Sequence, residues 1–246
     1  MIHSLDVGSD WMKLVVNRHG PVVLFHHNFI GEGMEARVYR KGEDAYKVYR
    51  LFSEVSRLSL ADTFYLKNLE TKRILLPQDA LYTIFGRFRG YVTPYIEDLG
   101  LDSFVSLQKE ELSSEFSLLQ EDCQLLGEHH IRIHDLMTRR PSIQNGIFHR
   151  GLYVVDPGRF CFDFSLTPDE VTKKNCEEID DFLFHRIARQ YCIQNMGCTT
   201  AFYDEFDDVI CQKDISLMAY ILNDMKEITF RDYLERKNKN IKIKRK

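Results

Sequence analysis

Strand-like and helix-like text are segregated along this chain, and that order constrains its fold more than any other feature. From Val22 to about Val48 the runs VVLFHHNFI, ARVYRK and DAYKVY are rich in Val, Phe and Tyr and broken by glycine. Such text predicts a meander of antiparallel strands. Between Leu51 and Lys72 the spacing changes: Leu58, Ala61, Tyr65, Leu66 and Leu69 recur every three or four residues, as on one face of a helix. Strand text returns in RILLPQDALYTIF and FRGYVTPYI, with Pro94 marking the exit from the sheet. From about Ser106 the chain reads as helical, with Leu112, Phe116, Leu119, Cys123 and Leu126 forming an apolar stripe.

An irregular stretch (His134 to Gly146) and two brief strands, GIF and LYVVD, interrupt the helical half. Thr167 before Pro168-Asp169-Glu170 is a helix start: a hydroxyl cap, proline in the first turn, and acids at the positive end of the dipole. Helices are expected to continue to Tyr233, and the basic tail RKNKNIKIKRK to fray. The expected fold class is therefore α+β in two lobes. Residues 1–97 would form an antiparallel β first lobe with one helix, residues 98–235 a reduced helical second lobe, and 236–246 a disordered tail.

Composition sets the outer bounds. With 44% hydrophobic and 28% charged residues the chain has ample core material. A formal net charge of −4 argues against a nucleic-acid partner recruited by global charge. The six cysteines occur singly, without a C-x-x-C pair, which reads as reduced thiols rather than a disulfide frame or zinc site. No apolar run approaches the roughly 18 residues of a membrane span, and the N-terminal stretch lacks the pattern of a signal peptide. The expectation is a cytoplasmic protein. Trp11 and Tyr65 are expected in the core.

The residues suited to chemistry come in a fixed order. In Phe29-Ile-Gly-Glu-Gly-Met-Glu-Ala-Arg-Val-Tyr39, Gly31 and Gly33 stand where one strand ends and the next begins. Glycines there let backbone N–H groups approach a phosphate, although the same pair also serves an ordinary hairpin. Lys47, on the next strand, would project an ammonium group toward such a phosphate, or simply into solvent. Much later come His134-Asp135-Leu136, then Asn145-Gly-Ile-Phe, then Leu-Tyr-Val-Val-Asp156-Pro-Gly158. Asn145 and Asp156 offer hard oxygen ligands suited to Mg²⁺, and equally suit turns. Asp135 could take a proton or orient an attacking group, or cap its loop.

Together these segments, from Val22 to Arg159, resemble the protein-kinase-like superfamily. GEGMEARVY is similar to its glycine-rich loop, AYK to the A-x-K of its third strand, HDL to its catalytic loop, NGIF to N-x-L, and DPG to D-F-G. TKRILLP with LYVVDPGRF further resembles a group of uncharacterised bacterial kinase-like proteins. The resemblance implies ATP and Mg²⁺ as cofactors, with Gly31, Gly33 and Lys47 on the phosphates and Asn145 and Asp156 on the metal. It implies Asp135 as the catalytic aspartate, and Val38, Ala45 and Ile147 around adenine. The ion-pair partner of Lys47 would stand on the first-lobe helix, as Glu70 or, second, Glu54.

The activity implied is a phosphotransferase acting on a protein Ser/Thr hydroxyl or a small-molecule alcohol, as in sugar and antibiotic kinases. The alternative is a pseudokinase, a nucleotide-binding interaction module. The departures from the pattern bear on that choice. Ala36 replaces the third glycine, Ile133 stands where a histidine is usual, and Pro157 replaces Phe. Ten positions separate Asp135 from Asn145, where the family has about five. No A-P-E follows Gly158, so neither a long activation segment nor its phosphorylation is expected.

Overall fold

The strand text of the first hundred residues folds into one seven-stranded antiparallel sheet. The computed structural model describes residues 11–16, 20–33, 35–50, 58–134, 136, 145–192 and 216–244. The strands are β1 (Trp11–Val16), β2 (Gly20–Phe25), β3 (Phe29–Glu32), β4 (Ala36–Lys41), β5 (Asp44–Tyr49), β6 (Asp79–Thr83) and β7 (Phe88–Pro94). Their order in the sheet is β2-β1-β6-β7-β5-β4-β3. The run VVLFHHNFI, read as one strand, is two: His26–Asn28 makes a turn of 3-10 helix between β2 and β3. Those two are the edge strands, so this short link draws the edges of a curled sheet toward each other. Lys41 of β4 donates to the Val23 carbonyl of β2 at 3.2 Å across that closure.

Side chains alternate along each strand, so one face of the sheet collects the apolar residues. Leu14, Val16, Val22, Leu24, Tyr39, Tyr46, Val48, Leu81 and Val92 form the core of the curl. The helix expected in 51–72 is shorter: α1 spans Leu60–Leu66. Ser59 and Asp62 cap it reciprocally, and Asn68 ends it by donating to the Phe64 carbonyl at 2.9 Å. Trp11 and Tyr65 are not core residues; they are 53% and 43% exposed. Trp11 opens the first strand opposite exposed Phe25, and Thr63 and Leu66 take the inner side of α1.

The chain divides into two compact units, residues 1–70, 75–96 and 157–159 in one, 71–74, 97–156 and 160–246 in the other. The second unit is mainly helical. It contains α2 (Leu101–Val105), α3 (Lys109–Glu128), α4 (Pro168–Phe184), continuing as a π-helical stretch His185–Cys192, then α5 (Leu217–Asp224) and α6 (Phe230–Lys244). The expected stripe of α3, Leu112 to Leu126, is buried; α4 packs against α3, and its Val171, Ile179 and Leu183 are buried as well. Thr167 caps α4 with Pro168 in its first turn. The described residues also form two short pairs, β8 (Ile131–Arg132) with β11 (Cys161–Phe162), and β9 (Gly146–Phe148) with β10 (Leu152–Val154).

The basic tail does not fray through residue 244; it is the second half of α6. Charge pairing holds it: Lys237 is buried, with its ammonium 2.9 Å from Asp224 and 2.9 Å from the Tyr220 hydroxyl, and Arg236 bonds Glu227 and Asp224. Among the described residues Cys123, Cys161 and Cys176 are thiols outside any disulfide. No helix among the described residues is long and apolar enough to cross a membrane.

Candidate functional site

The expected site residues fall into two groups, one in each unit. In the first unit, Val38 of β4 lies directly opposite Lys47 of β5, and Gly31 of β3 lies opposite Val38. Ala45 is two residues from Lys47 on the same strand. Alternation therefore puts Val38, Ala45 and Lys47 on one face, opposite to the aliphatic core. Tyr91 of β7, across from Lys47, extends that face, with the ammonium 5.7 Å from its ring centre. Such a patch, apolar with one lysine at its margin, can take a flat apolar ring beside an anion.

Close strand approach keeps that patch in place. At Gly90, φ is +144°, and a Cβ there would sit 1.9 Å from the Lys47 carbonyl oxygen. Only glycine lets β7 run against β5 at the lysine.

The glycine turn itself is laden with charge. Gly33 donates to the Ala36 carbonyl at 2.9 Å, closing the turn between β3 and β4. Glu32 accepts from Arg50 at 2.8 Å and Arg37 at 3.4 Å. Glu35 is only 9% exposed and accepts from Arg159 at 3.2 Å. Glu70 was expected on the helix; it lies beyond the end of α1 and is exposed, because the chain turns at Asn68 and Leu69. Glu54 lies outside the described residues.

In the second unit a hairpin joins two other candidates. Gly146 pairs with Val154, and one step further the Val155 N–H donates to the Asn145 carbonyl at 2.9 Å. Asn145, which is buried, and Asp156 therefore flank the same open end of the hairpin. Ile147, opposite Tyr153, is half-buried within β9. Gly146 is required by packing: a Cβ there would lie 2.5 Å from the Phe182 ring of α4.

The hairpin is tied to TKRILLP. The Val154 N–H donates to the Arg73 carbonyl at 2.8 Å, and the Arg73 guanidinium takes Glu115 at 2.5 Å and the Tyr153 hydroxyl at 2.6 Å. The backbone N–H groups of Lys72, Arg73 and Ile74 converge on the Asp122 carboxylate of α3 at 2.9, 2.6 and 2.9 Å. Burial pushes that carboxyl above its ordinary range, and the three donors pull it back.

Asp135 lies outside the described residues, together with 137–144. Its flanks are anchored by α4. Buried Asn175 accepts from the Ile133 N–H at 2.8 Å and donates to the Ile131 carbonyl at 2.9 Å. Glu178 accepts from the Leu136 N–H at 3.0 Å. Sequence reasoning missed both residues. The available signal was a polar Asn in register with Val171 and Ile179 on an otherwise apolar helix face.

Among the described residues no three His, Cys, Asp or Glu side chains form a metal cluster. The oxygen donors present, one amide and one carboxylate, nevertheless suit Mg²⁺, which commonly takes one or two protein ligands and completes its shell with phosphate and water.

No protein-family model matches the chain, and no curated protein matches it. Among solved structures it is similar to the Legionella pneumophila Lpg2603 kinase bound to IP6, at 16% identity and a TM-score of 0.40. That match covers 89% of this chain and 94% of the other.

Proposed function

We propose that this chain is an ATP- and Mg²⁺-dependent phosphotransferase acting on an alcohol group. The observation that carries the reading is the hairpin bond from the Val155 N–H to the Asn145 carbonyl, which holds two hard-oxygen side chains at one hairpin end. The shared face of Val38, Ala45 and Lys47 beside the glycine turn supports it from the other unit.

In this reading Val38, Ala45 and Ile147 would contact adenine, and the turn bearing Gly31 and Gly33 would lie with Lys47 against the phosphates. Asn145 and Asp156 would hold Mg²⁺, which when bound neutralises triphosphate charge. Asp135 would align the acceptor hydroxyl and take its proton as the oxygen attacks the γ-phosphorus. The bond to the β–γ bridging oxygen breaks and ADP leaves. Positioning and charge neutralisation carry the rate. A protein Ser/Thr hydroxyl is the acceptor we favour, with a small-molecule alcohol as the alternative.

Incubation with γ-labelled ATP tests the reading. Lys47→Ala and Asp156→Ala are each expected to lower label transfer by about a hundredfold or more. Equal transfer by wild type and both variants would refute it.

The exposed position of Glu70 beyond α1 favours a second reading, a pseudokinase-type module that binds nucleotide without turning it over. Metal-dependent thermal stabilisation by ATP with no labelled product would select that module over the enzyme.

A further inference from the structure

We infer that Glu35 and Arg159 form a positioning pair, a clamp that fastens the glycine turn to the segment immediately following Asp156; this rests on the phosphotransferase reading. Glu35 stands two residues after Gly33 and, with Asp79, is a buried acid among the described residues of the first unit. A buried carboxylate is held in place only by a partner, and its partner is Arg159, from a position 124 residues away in the chain. The carboxylate accepts from the Arg159 Nε at 3.2 Å, while the Glu35 carbonyl accepts from the Arg50 N–H at 2.8 Å. Glu35 is thus gripped at both ends, by side chain and by backbone.

Arg159 is the residue after Asp156-Pro157-Gly158. Residues 157–159 cluster with the first unit, and Pro157 and Gly158 are both buried. The ion pair therefore does what neither motif does alone. It fixes where the turn bearing Gly31 and Gly33 stands with respect to the short helical turn 157–159 of the same unit. It also cancels a charge that a polyphosphate would otherwise meet. Glu32 and Glu35 are both acids on a turn read as phosphate-binding, and Arg37, Arg50 and Arg159 answer them. A turn of this kind left with bare carboxylates would repel an anion.

Pairing also decides which substitutions are tolerated. Arg159→Lys keeps the charge but loses the directional Nε–H donor. Glu35→Gln keeps shape and loses charge. A charge exchange, Glu35→Arg with Arg159→Glu, restores attraction with the chemistry reversed. A residue acting only as packing would not respond to such an exchange.

The test pairs a ligand-free readout with a ligand-bound one. Hydrogen exchange of residues 31–38, without nucleotide, is expected to speed up by about tenfold in Arg159→Gln and Glu35→Gln. Arg159→Lys should fall between them and wild type, and exchange in 146–154 should not change. Calorimetric titration with Mg·ATP is expected to show dissociation constants raised by about tenfold in the same two variants and partly restored in the charge exchange. Wild-type exchange in the turn of Arg159→Gln overturns the clamp. So does equal Mg·ATP affinity in wild type and Glu35→Gln. If the turn loosens as expected but wild type takes up no nucleotide, the clamp stands and the phosphotransferase reading falls.

Discussion

A carboxylate with a buried oxygen and no partner is rare in a folded chain, and Asp180 is such a residue. Its Oδ2 accepts from the Leu217 N–H at 3.0 Å at the start of α5, while among the described residues Oδ1 has no hydrogen-bond partner. Burial pushes the Asp180 carboxyl up to about 7, with Asp181 and Glu177 adding repulsion and the Leu217 and Met218 N–H groups opposing it. The folded state therefore holds a proton that the unfolded chain releases near pH 4. The contribution is fully present below that pH and is lost as pH rises toward about 7. The shift corresponds to roughly 4 kcal/mol. Asp180→Asn should flatten the fall in unfolding free energy between about pH 4 and pH 7, measured by urea denaturation. A wild-type profile in the variant would contradict this. Nothing in the sequence distinguished Asp180 from Asp181, because burial of one and not the other depends on where α5 docks.

Elements carry the candidate residues, so damage to an element should appear as loss of ligand. Gly90→Ala puts a Cβ against the Lys47 carbonyl and should separate β7 from β5 locally. A melting point lower by several degrees is expected, as for about 1–3 kcal/mol of lost stability. Nucleotide affinity should fall with it, although Gly90 is on neither motif. Asn175→Ala leaves the Ile133 N–H and Ile131 carbonyl without their partner inside the helical unit. It should cost about 1–3 kcal/mol and loosen the backbone on either side of Asp135, seen as faster exchange in 131–136. An unchanged melting point and unchanged exchange would contradict that account.

What was legible here follows range of interaction. The strands β4 and β5, the Thr167 cap, and the stripe of α3 were readable because their causes are local: alternation, a hydroxyl before proline, and three-and-four spacing. The hairpin joining Asn145 and Asp156 was readable as two short apolar runs, the second closed by Asp-Pro-Gly. Gly90 was not, because its constraint comes from a strand distant in sequence. Asp122 was not, because its donors lie about fifty residues upstream. The basic tail misled for the same reason: its run of charge looks solvated until Asp224, Glu227 and Tyr220 are brought alongside.

At the scale of the molecule, the proposed activity requires two groups of residues to serve one polyanion. Lys47 and the glycine turn belong to one unit, and Asn145 and Asp156 to the other. If they serve the same ligand, removing either should weaken the same binding event, and removing the metal should mimic the loss of Asp156. The most direct measurement is isothermal titration of ATP into wild type, Lys47→Ala and Asp156→Ala, each with Mg²⁺ and with chelator. We expect binding by wild type only when Mg²⁺ is present, with affinity lowered by about tenfold or more in Lys47→Ala. In Asp156→Ala the weak binding should be the same with and without metal. Wild-type binding that ignores the chelator, or affinities that neither substitution changes, would contradict the account.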